Sequence, residues 1–147
     1  MRKHVIGATF ACLLLATYAA PASAQATRDT AALPAELRAG IAALSAAYDK
    51  LDAAAATSWF APDGAVEFQG QLLSGRDAIA GWFGEAFSGL TALRGGTPSY
   101  VIGEGEVSER SSYIAVLMGG EEQAGATETV WRRQPDGAWK VARLIIQ

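Results

Sequence analysis

The chain has 147 residues, 12 of them Lys or Arg and 15 Asp or Glu, for a net charge of −3, with a single Cys and a single His. That length suits one domain with its own core. An acidic balance without a basic cluster argues against nucleic acid or an anionic lipid surface as partner, and one cysteine excludes an internal disulfide.

The first residues read as an export signal. Arg2, Lys3 and His4 give a basic start, Val5 to Ala20 an apolar run of about 16 residues, and Ala22-Ser23-Ala24 a small-residue cleavage site. The run falls short of the roughly 20 residues that span a bilayer as a helix. Cleavage after Ala24, with Ala26 as the second choice, would release the protein into the periplasm or outside the cell with no membrane anchor. Apolar residues continue past Cys12, which does not fit a lipoprotein. Loss of residues 1–24 removes both the Cys and the His, so no thiol nucleophile, histidine base or histidine metal ligand would remain. Ten basic residues would then face fifteen acidic ones, a net charge of −5. Export without disulfides fits a bacterial periplasm.

Residues 25–33 (QATRDTAAL) are polar and Ala-rich and read as a flexible leader to a domain spanning 34–147. Pro34 suits the first turn of a helix. Beyond it Leu37, Ile41, Leu44, Tyr48 and Leu51 form a one-faced apolar stripe at helical spacing. Asp52 can cap a short second helix over Ala53 to Phe60. Pro62-Asp63-Gly64 reads as a turn, Ala65 to Phe68 as a strand, and Gln71 to Ser74 as its hairpin partner around Gly70. Asp77 or Ser74 is expected to cap a helix from about Ala78 to Phe87, with Ile79, Trp82, Phe83 and Phe87 on one side.

Ser88 to Pro98, with three glycines and a proline, reads as a loop. The remainder is β-rich. Ser99 to Val107 is a strand, Glu109-Arg110-Ser111-Ser112 a turn, and Tyr113 to Met118 an apolar strand. Ala126 to Gln134 and Trp139 to Ile146 then form a hairpin around Pro135-Asp136-Gly137. Helices first and a four-strand antiparallel meander after give an α+β fold with the helices on one face.

Three segments carry a family likeness: LDAAAATSWFAPDGAVEF, LSGRDAIAGWF and TVWRRQPDGAWKVARL. In this order and spacing the chain resembles the SnoaL-like, ketosteroid-isomerase-like group, also called nuclear-transport-factor-two-like, from about Leu37 to Ile146. The resemblance implies a cone: a curved antiparallel sheet wrapped around the N-terminal helices, with a central pocket. It does not fix a function, because the scaffold serves isomerases, cyclases, epoxide hydrolases and non-catalytic binders. In the isomerases of this fold an Asp base works beside a Tyr and a protonated Asp. The matching positions here are Phe68, Leu44 and Thr129, none of which keeps the required side chain.

Trp82 and Phe83 stand at the family's pocket-aromatic positions, with Leu44, Tyr48, Phe68, Tyr113, Ala115 and Leu117 expected to face the same space and Thr129 to approach from the facing strand. Such a space is either an apolar ligand pocket or a filled core. The candidate catalytic groups are Glu67 and Tyr48. Glu67 is the best carboxylate for a general base if it points inward, but strand alternation with Phe68 turns it outward. Tyr48 could donate to a ligand oxygen or to a local partner. Arg143, in an apolar strand, either meets an acid such as Glu128 or holds an anionic ligand. Asp52, Asp63, Asp77 and Asp136 read as caps and turn residues, and GEGEVSER and Glu121-Glu122 as solvated edges. No acidic spacing matches a calcium loop, and no cofactor is implied.

Ile114, Val116 and Met118 leave a second apolar face on their strand, which suggests a homodimer through the sheet. The functional expectation is an exported domain holding a small hydrophobic molecule without isomerase-type acid–base chemistry. Two alternatives stand beside it: an isomerase or lyase working through Glu67, Tyr48 or Thr129, and an accessory dimer with a filled pocket.

Overall fold

The computed structural model describes residues 25–147. The export signal, its cleavage after Ala24, Cys12 and His4 lie outside the described residues. Helix α1 (Ala35–Asp49) starts at Pro34 and buries Leu37, Gly40, Leu44 and Ala47. Asp52 caps α2 (Ala53–Ser58) by accepting from the Ala55 N–H at 2.9 Å. The third helix, α3 (Arg76–Ser88), buries Ile79, Phe83 and Phe87. Its cap is Gly75 at φ +88°, in place of the expected Ser74 or Asp77 side chain. Asp77 sits instead in the first turn, where a negative charge is favourable. Among the described residues no helix is long and apolar enough to cross a membrane.

The strands are β1 (Phe60–Phe68), β2 (Gln71–Ser74), β3 (Leu90–Gly95), β4 (Ser99–Ile102), β5 (Glu106–Leu117), β6 (Glu122–Arg133) and β7 (Trp139–Ile146). They form one sheet in the order β2-β1-β7-β6-β5-β3, with β4 also on β5. Every pairing is antiparallel except β1 with β7, which run parallel. Helices α1 and α3 lie across the concave side. This is the α+β cone.

Four local readings of the sequence are corrected. Pro62-Asp63-Gly64 is not a turn but an irregular stretch inside β1, where the register with β7 shifts between Phe60 and Ala65. Backbone crowding explains the glycine: a Cβ on Gly64 would stand 2.9 Å from the Ala61 carbonyl oxygen. Residues 88–98 are not one loop, because Leu90 to Gly95 pairs with β5. Glu109 to Ser112 is not a turn but the middle of a twelve-residue strand paired residue by residue with β6. Finally, residues 27–33 are tied to the domain. Thr27 bridges Tyr100 in both directions at 2.7 Å, and Leu33 is buried.

The two edge strands β4 and β3 divide the outer side of β5 between them. β4 pairs with Val107 to Arg110 and β3 with Tyr113 to Leu117. Gly96 to Pro98 crosses the gap, held by the Gly96 N–H to the Ser112 carbonyl at 2.8 Å. The closed end of the cone is solid: Phe60, Val66, Tyr100, Val107, Trp131 and Val141 are each 2 % exposed or less. Beyond it the interior is not filled, and a cavity remains between the sheet and the helices.

Candidate functional site

Inward positions along β5 alternate as Val107, Glu109, Ser111, Tyr113, Ala115 and Leu117. Across the ladder on β6 they meet Trp131, Thr129, Thr127, Gly125 and Gln123. Val107 and Trp131 are large and close the floor. Ser111, Thr127 and Thr129 are small and leave space above it. The result is a cavity of about 620 Å³ between the sheet and helices α1 and α3. That size lies within the roughly 300–1,000 Å³ common for small-molecule sites.

Leu44 and Tyr48 of α1, Phe68 of β1 and Trp82 and Phe83 of α3 line it. Tyr113, Ala115 and Leu117 of β5 and Thr129 of β6 line the sheet side. The aromatic wall is continuous. Ring centres lie 5.7 Å apart for Phe68 and Trp82, 5.0 Å for Trp82 and Phe83, and 5.1 Å for Phe83 and Phe87. Tyr48 closes the row, edge-on to Phe87 at 6.3 Å.

Glu67 is not part of this space. It lies on the convex face and forms an ion pair with Arg143. Alternation decides this: the side of β1 that places Phe68 in the cavity turns Glu67 away from it. Arg143 therefore meets neither Glu128 nor the cavity. Glu128 pairs with Arg110 at 3.1 Å instead. Asp63, read as a turn residue, accepts two hydrogen bonds from Arg132 at 2.7 and 3.0 Å.

The carboxylate on the sheet side of the cavity is Glu109, which the sequence reads as part of a solvated turn. It stands directly across the ladder from Thr129, which is buried. One Glu109 oxygen, Oε2, accepts from the Trp131 indole N–H at 3.0 Å. Burial pushes its carboxyl above the ordinary value, and the Trp131 hydrogen bond opposes that shift. Two tyrosines feel it. Burial first, and the Glu109 charge second, raise both the Tyr48 and the Tyr100 phenols. The Tyr48 hydroxyl is itself buried and has no hydrogen-bond partner among the described residues. An orphaned buried hydroxyl is costly, on the order of 1–3 kcal/mol, unless something else satisfies it.

The period-two run V-x-E-x-S-x-Y-x-A-x-L over 107–117 is the signal that could have found Glu109. The polar residues between its members hid it. Two further acids, Asp49 and Glu85, border the cavity at exposed positions. Among the described residues no group of three or more His, Cys, Asp or Glu could hold a metal ion.

Comparison with known proteins agrees with this architecture. A Salmonella enterica protein of the nuclear transport factor 2-like superfamily superimposes with a TM-score of 0.63 at 18% identity, covering 76% of this chain and 87% of that one. A ketosteroid isomerase-like protein from Erwinia carotovora atroseptica gives 0.63 at 19%, covering 76% and 92%. An NTF2-like protein with a cystatin-like fold from Novosphingobium aromaticivorans gives 0.62 at 23%, covering 76% and 78%. At these identities the likeness speaks for the fold alone. No curated protein matches the sequence. The family profile described as a SnoaL-like domain matches residues 29–145, which is most of the described chain. The chain belongs to the SnoaL-like family.

Proposed function

We propose that the protein binds one small, largely apolar molecule inside the cone, with Glu109 and Thr129 forming the polar end of the site and Tyr48 part of its aromatic wall. The observation that carries this reading is the open interior. An aromatic wall and small sheet residues surround a cavity of ligand size, with Glu109 in its lining. The family supports the coarser statement, since SnoaL-like domains hold small ligands. The proposal extends to an exported protein, released by cleavage after Ala24, that acts as a homodimer. Thermal-shift measurements on the mature chain against steroids, terpenoids and neutral aromatics test the binding. At least one class should raise Tm in a saturable way, and uniform failure would remove the reading.

A second reading is an isomerase or lyase, and one observation favours it. Glu109 is a cavity carboxylate with a raised pKa, the property that suits a group for proton abstraction from a bound substrate. Glu67 cannot take this part from the convex face. Deuterium exchange at the activated carbon of a probe ketone such as tetralone, followed by NMR, tests it. Exchange should require Glu109 and stop in Glu109→Gln; background-rate exchange with the wild type would leave binding alone.

A further inference from the structure

We infer that the polar group of the ligand is a protonated amine, held against Glu109 beneath the aromatic wall. The inference rests on the binding reading above. It begins with charge: Asp49, Glu85 and Glu109 border the cavity, and among the described residues no Lys, Arg or His does. An anionic ligand would meet three acids and no counter-charge. Seven of the ten Lys and Arg side chains among the described residues are engaged elsewhere, the others being Arg28, Lys50 and Arg133. Arg94, Arg110, Arg132 and Arg143 pair with Glu122, Glu128, Asp63 and Glu67. Arg38, Arg76 and Lys140 hold backbone carbonyls.

Glu109 is thus a half-buried acid whose side-chain partner is the neutral Trp131 indole, with no cation within ion-pair distance among the described residues. An alcohol could reach its second oxygen but would leave the charge uncompensated in a poorly solvated space. An ammonium group compensates it and donates hydrogen bonds at the same time. Asp49 and Glu85 at the exposed border favour the approach of a cation.

The test uses four probes of one shape: naphthylmethylamine, naphthalenemethanol, methylnaphthalene and naphthoate. Each is titrated calorimetrically into the mature protein and into Glu109→Gln, which retains an acceptor for Trp131. The amine should bind wild type about tenfold or more tighter than the alcohol, with naphthoate weakest. In Glu109→Gln the amine should fall to the level of the alcohol, while methylnaphthalene should change less than about threefold. If methylnaphthalene binds and the alcohol or the acid equals or exceeds the amine, the amine inference is overturned and the apolar site stands. If the amine leads but keeps its lead in Glu109→Gln, the assigned counter-ion is wrong and the inference also falls. If none of the four binds, both readings fall together.

Discussion

Burial and the Trp131 hydrogen bond act on Glu109 in opposite directions. Burial dominates, so its carboxyl binds a proton more readily in the folded chain than in the unfolded one. The folded state is therefore favoured below the ordinary carboxylate range, and that contribution is lost as pH rises through the raised value. Tyr48 from α1 and Tyr100 from β4 are the titratable neighbours it influences, and burial keeps both phenols neutral across this window. Glu109→Gln removes the titration and keeps the acceptor for the Trp131 N–H. Thermal unfolding of the unliganded proteins between about pH 4 and pH 8 should show the variant matching wild type at the acid end and exceeding it near neutrality. A gap in Tm that stays constant with pH would mean that the Glu109 carboxyl is not destabilised by burial.

At the scale of elements, the misread segments share one cause. Helix stripes and the hairpin around Gly70 are written locally, in spacing and in turn chemistry: Gln69 and Gly70 adopt φ +50° and +76°, as a tight two-residue hairpin requires. The wall residues Tyr48, Trp82 and Phe83 were legible for the same reason. Strands β3 and β5 are fixed by partners far away in the sequence. Leu90 to Gly95 reads as a glycine-rich loop until β5 supplies its ladder, and Glu109-Arg110-Ser111-Ser112 reads as a turn until β6 does. Propensity loses to pairing there. The irregular stretch of β1 is a further case, since Gly64 is required by carbonyls of Ala61 and Val141 that meet only in the folded sheet. Gly64→Ala should cost about 1–3 kcal/mol in denaturant unfolding. Neutral behaviour would show that β1 can relax around a methyl group.

For the whole molecule, the two faces of the sheet divide the work. The concave face carries the cavity. The convex face carries cross-strand ion pairs: Glu67 with Arg143, Arg110 with Glu128 and Arg94 with Glu122. Such exposed pairs add little stability each, about 0–1 kcal/mol, but they favour one register and partner. Beside them Ile114 and Met118 stand 37% and 70% exposed. Apolar side chains next to charges suit an interface between two copies of the sheet. Ile114→Glu should convert a dimer to a monomer in light scattering after gel filtration, without loss of secondary structure. A wild-type monomer at micromolar concentration would remove the dimer from the account.

The hollow interior is the claim on which the function depends, and filling it is the most direct trial. Ala115 lines the cavity from β5 and is itself nearly buried, so Ala115→Trp places an indole into the space a ligand would use. Calorimetric titration with naphthylmethylamine and methylnaphthalene should give saturable one-site binding to wild type. The folded variant should lose it by at least about tenfold. Unchanged affinity in Ala115→Trp, or no saturable binding to wild type, would contradict a ligand site inside the cone.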